Sequence, residues 1–145
     1  MSSYSVDYGL LTTVKEVLEN DENLIKAGLS KLVYFEVPIR AKFPLIVLDI
    51  DEIWEDHYAG PHEAQARVNF RITVMSQMTT LRESLDIAGC VEDAINGTAL
   101  RISNSHLANL RKTGNVIDFP SIQNPRSVQQ FYQAVVWQKA WDNFG

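Results

Sequence analysis

The order of segments in this chain predicts an α+β fold: one small, mixed but mostly antiparallel sheet with two main helices packed on it. Three observations carry that expectation. Two amphipathic helical stripes, near residues 10–18 and 81–95, are separated by strand-like runs. Residues 66–74 alternate strictly between apolar and polar side chains, which is the signature of a strand with one dry face. The closing run, 128–141, is rich in aromatic and Gln residues and has apolar groups on both faces. A chain of 145 residues fits one domain, 1–145, and is long enough to bury a core.

Each element follows from local chemistry. Leu10, Leu11, Val14, Val17 and Leu18 fall at helical spacing, with Lys15, Glu16 and Glu19 opposite them. The polar run Asn20-Asp21-Glu22-Asn23 breaks that helix, and Leu24, Ile25 and Leu29 suggest a short further turn. Lys31-Leu32-Val33-Tyr34-Phe35 has strand-forming content, stopped by Pro38, which lacks an amide hydrogen for a ladder. After Pro44, residues 45–50 are continuously apolar up to Asp49, so the expected strand is central and buried on both faces.

Residues 51–65 read as a long polar loop containing Trp54, Tyr58, Gly60 and Pro61. In the next strand Ala66, Val68, Phe70, Ile72 and Val74 take the dry face, while Arg67, Asn69, Arg71 and Thr73 meet solvent or a partner. Thr80 and Glu83 have capping-box spacing. Leu81, Leu85, Ala88, Val91 and Ile95 then form one stripe, and Gly97 supplies the stop. Leu100 and Ile102 mark a short strand and residues 107–112 another, before a second long loop at 113–126. The last strand sits either mid-sheet under helices or at a subunit contact.

The charge of −5 argues against tight phosphate-backbone binding, which needs a basic face. Arg101, Arg111, Lys112 and Arg126 are too sparse for a single-strand groove. Cys90 is the only cysteine, which excludes an intrachain disulfide, and its mid-helix position suits packing better than catalysis. The N-terminus has no basic-then-apolar leader pattern, and the longest aliphatic run is far too short to span a bilayer. A soluble protein made in a cytoplasm is therefore expected, with no membrane partner.

Candidate chemistry is sparse. Asp51, Glu52, Glu55, Asp56, His57, His62 and Glu63 include metal-ligating types, but their spacing matches no standard motif and a solvated acidic loop accounts for them. Asp49 and Asp51 have the spacing of a strand-face acid–base pair, yet carboxylates at a strand end are more often caps. His106 has no nucleophile placed beside it by any motif, and no phosphate-binding glycine loop is present. No catalytic residue, metal or cofactor is expected. Trp54, Tyr58, Trp137 and Trp141 either join protein contacts or lid the core.

The layout resembles the tail-terminator, or tail-completion, family of long-tailed bacteriophages. The matching pieces are the opening helix, Phe43-Pro44-Leu45-Ile46-Val47-Leu48, and a loop with Trp54 and Gly60. They continue with Arg67-Val68-Asn69-Phe70-Arg71-Ile72-Thr73-Val74, the helix near 81–95, and Phe131-Tyr132-Gln133-Ala134-Val135-Val136-Trp137. The 113–126 segment, with two prolines, departs from the tight hairpin expected between the last strands.

The resemblance implies a virion protein, not an enzyme, that forms a ring, commonly a hexamer, on the last ring of the tail tube. Its partners would be itself, the tail tube protein and the head connector or stopper, with DNA passing through unbound. The expected contact residues are Glu52, Trp54, Asp56, His57 and Tyr58, the strand arginines Arg67 and Arg71, and Arg111, Lys112 and Arg126. The alternatives are another head–tail neck protein, or a small oligomeric ligand-binding or metal-dependent protein using Asp49, Asp51, His57 and His62.

Overall fold

The described elements run, in chain order, α1 (Ser3–Glu19), α2 (Glu22–Lys26), β1 (Val33–Tyr34), β2 (Leu45–Asp56), β3 (Gln65–Ser76), α3 (Arg82–Ile95), β4 (Ala99–Ser103), β5 (His106–Asp118) and β6 (Arg126–Gln138). They come from a computed structural model that describes residues 3–56, 65–77, 82–97, 99–103, 106–118 and 126–138. The strands form one open sheet in the order β1-β2-β3-β6-β5-β4. The short β1 pairs parallel to β2, and every other pairing is antiparallel. The architecture is the expected α+β arrangement.

The helices lie on one face of the sheet. Leu10, Val14 and Leu18 of α1 are buried there, as are Ile87, Ala88, Val91 and Ile95 of α3. They meet Ile46 and Leu48 of β2, Val68, Phe70, Ile72 and Val74 of β3, Leu110 of β5, and Tyr132, Ala134 and Val136 of β6. Phe70 and Tyr132 are register partners whose rings stack, with centroids 5.5 Å apart. Each large apolar side chain buried in this way contributes about 1.5–3 kcal/mol.

Hydrogen bonds and an ion pair cap and fasten the helices. Asp21 caps α2 by accepting from the Leu24 amide at 3.1 Å. At the start of α3 the buried Ser76 hydroxyl, ending β3, donates to Glu83 at 2.6 Å. At its end the Lys112 ammonium meets Glu92 at 2.9 Å, and the Lys112 amide donates to Asn96 Oδ1. Gly97, at φ 77°, turns the chain out of the helix and donates its amide to the Leu110 carbonyl.

Several expectations need correcting. Residues 51–56, read as loop, continue β2, and residues 113–118 continue β5. Each strand absorbs its polar run through a bulge, between Ile50 and Glu52 and between Lys112 and Gly114. The remaining parts of both expected loops lie outside the described residues, as does Thr80 of the expected capping box. β2 is not central: β3 and β6 are the middle strands, and β1 covers β2 only at Ile46 and Val47.

The buried stripe of α3 is also rotated from the one expected. It runs Ser84, Ile87, Ala88, Val91 and Ile95, leaving Leu85 exposed on the helix flank.

Candidate assembly interface

No described element packs on the second face of the sheet. Alternation places Arg67, Asn69, Arg71, Thr73 and Met75 of β3 on that face, with Gln129, Phe131, Gln133 and Val135 of β6 beside them. Apart from the exposed Arg67, these side chains are half-buried. The mixture is unlike a purely solvated strand face, because Met75, Phe131 and Val135 add apolar surface among the polar groups.

Polar pairs across neighbouring strands hold this face flat to its own backbone. Arg71 and Asp49 are register partners and bond bidentately, Nε to Oδ1 at 3.0 Å and Nη2 to Oδ2 at 2.6 Å. That bond, followed by attraction to Asp49 and Asp51, raises the guanidinium pKa, against the opposing effect of burial. One step along the strands, Gln133 donates to Asn69 at 3.3 Å. The bulges in β2 and β5 fall within about one residue of the same level across the sheet. They flank a shallow, open trough lined by Asp51, Asn69, Thr113, Gly114, Phe131 and Gln133.

The expected contact residues divide accordingly. Arg67 and Arg111 are exposed on the open face, on rows offset by two residues and two strands. Arg71 lies on the same face, paired with Asp49. Lys112 points to the helix layer instead, because the alternation that exposes Arg111 turns its neighbour toward Glu92. Glu52, Trp54 and Asp56 lie on the far half of β2, with Trp54 opposite Arg67, and Arg126 begins β6. The side chains of those four lie outside the description, and His57, Tyr58 and His62 lie outside the described residues altogether.

Of the carboxylates Asp49 and Asp51, the first is bonded to Arg71, and the second sits at the bulge of β2. Cys90 is half-buried, and burial, followed by Asp21, Asp93 and Asp86, pushes its thiol pKa up, away from the nucleophilic thiolate. Among the described residues no cluster of three or more His, Cys, Asp or Glu side chains could hold a metal ion. None of the described helices is long and apolar enough to cross a membrane.

Reading the sequence missed a buried polar chain. Tyr132 donates to Gln130 Oε1 at 3.0 Å, and Gln130 Nε2 donates to the Ala88 carbonyl at 2.9 Å, tying β6 to α3. The signal available was a Gln in the middle of a strand with apolar neighbours; only the fold shows that it points inward.

No family profile and no curated protein sequence matches the chain. Among solved structures, a chain of the virion of a native gene transfer agent particle superposes with a TM-score of 0.81 at 22% sequence identity. The match covers 94% of this chain and 100% of that one. At that identity, what is shared is the fold.

Proposed function

We propose that this chain is a non-enzymatic structural protein of a virion, forming a ring that ends a phage tail tube and docks it to the head connector. The observation that carries the reading is the full-length agreement in fold with a chain of a gene transfer agent virion. The open sheet face supports it: a broad, shallow surface of half-buried apolar and paired polar groups suits a protein partner better than a small substrate.

The difference between the two sides of the molecule supports the ring. A chain that presents different surfaces to its two neighbours makes heterologous contacts, and these close into a ring when the rotation permits. One ring face then matches the tube while the other refuses a further tube ring and receives the connector. DNA crosses the channel without being held, which an acidic protein favours through like-charge repulsion. Glu52, Trp54, Asp56, His57, Tyr58, Arg67, Arg111 and Arg126 are the contact residues of this proposal, and the virion is its location.

Light scattering across a concentration series tests the assembly. The expected result is a discrete closed species of about six copies. A mass that climbs without limit, or a tight two-fold dimer, would refute the ring. Trp54→Ala combined with Tyr58→Ala should weaken assembly and disturb tail length; tails of normal length would remove these two residues from the interface.

A further inference from the structure

Between β1 and β2 the chain makes an excursion over residues 35–44 that is fastened at its two ends. Phe35 packs against the core, with the Lys15 ammonium 5.4 Å from its ring centroid, and Leu45 at the start of β2 is fully buried. Among the described residues, no hydrogen bond or ion pair ties residues 36–44 to the body of the molecule. A stretch with exposed side chains and so few fastenings belongs to the low-stability end of a fold, where local rearrangement costs little.

The tip of this excursion is apolar and cationic. Val37 is half exposed and Ile39 is exposed at 104%, as open as a residue in an extended peptide. The exposed Arg40 and Lys42 follow. A single exposed aliphatic residue is unremarkable on a protein surface. Here two of them sit on a segment whose own end borders a largely apolar depression.

That depression, of about 320 Å³, is lined by Pro44 with Ala27, Leu29 and Ile87, and by Arg82, Glu83 and Asp86 at the start of α3. Glu83 is engaged by Ser76, whereas the Arg82–Asp86 contact is long, at 3.9 Å, and solvent-exposed, so Asp86 is open to a second cation. Ile39 lies five residues before Pro44, which places it at most about 17 Å from that proline along an extended chain and nearer along a folded one. The depression is therefore within reach of Ile39 while Leu45 stays in place.

We propose that residues 36–43 form a strap with two positions: the open one described above, and a closed one in which Ile39 fills the depression of its own copy. In the closed position Ile39 covers Leu29 and Ile87, and Arg40 and Lys42 are directed at Asp86. Burying one Ile side chain favours closing, ordering several residues opposes it, and the two contributions are of similar size, which suits a two-position element. Closing withdraws Ile39 from every other molecule, so the strap restrains whatever contact that residue makes when open. The strap does not depend on the ring.

The test is a nuclear Overhauser contact between the methyl groups of Ile39 and Ile87 in the full-length protein with labelled Ile methyls. The open position gives none, because Ile39 stands clear of the surface. The expected result is a 39–87 cross-peak whose strength per labelled molecule is unchanged when labelled protein is mixed into an excess of unlabelled protein. Ala27→Trp, at an exposed position lining the depression, should fill it and abolish the cross-peak while the other methyl signals keep their native dispersion.

No cross-peak, or one that Ala27→Trp leaves unchanged, overturns the strap. A cross-peak that falls in proportion on mixing places Ile39 on another copy and overturns it as well.

Discussion

At the residue scale, the buried chain from Tyr132 through Gln130 to Ala88 makes the sharpest predictions. Burial, followed by Glu92 and Asp93, pushes the Tyr132 phenol well above the ordinary tyrosine range. The folded state therefore holds this proton more tightly than the unfolded chain does. Its contribution to stability is complete below about pH 10 and declines above that, by up to about 1.4 kcal/mol per pH unit, until the folded phenol itself ionises. Urea unfolding at pH 7 and pH 11 should show the decline. Tyr132→Phe should flatten it while costing about 1 kcal/mol at neutral pH, because Gln130 loses a partner.

The Arg71–Asp49 pair is partly solvent-exposed, so Arg71→Ala should cost only about 1 kcal/mol, with the difference narrowing in high salt. Cys90 should alkylate more slowly in the folded protein at pH 8 than in urea, as its raised pKa requires.

At the scale of elements, the central pair β3 and β6 and the helix α3 hold the molecule together. Phe70 of β3 is fully buried and stacked on Tyr132 of β6, and Phe70→Ala should cost about 3–5 kcal/mol in chemical denaturation. Gly97→Ala should cost about 1 kcal/mol through its left-handed backbone alone, since no atom lies near the added methyl group.

How legible these elements were depends on what sets each one. The alternation in β3 and the stripe in α1 are local patterns, and the structure reproduces both. The second half of β2 was not legible, because Asp51, Glu52, Glu55 and Asp56 have loop composition. Pairing with β3 and a bulge overrode that preference. The rotation of α3 escaped notice because a sequence shows which residues are apolar but not which flank of the helix meets β5. Which expected contact residues reach the open face was settled by register: Arg111 faces it, whereas Lys112 belongs to the helix layer.

At the scale of the whole molecule, helices close one sheet face, and no described element packs on the other. The ring we propose would use that difference between the two faces. That is the division of labour a terminator ring needs, and the fold shared with a virion chain supports this account. In the proposed role, the ring stops a tube from growing.

The most direct measurement adds the purified protein to polymerising tail tube protein and reads tube length and tube ends by electron microscopy. The account predicts tubes that shorten as the protein is increased, each with a ring at one end. Tubes of unchanged length with bare ends would contradict it.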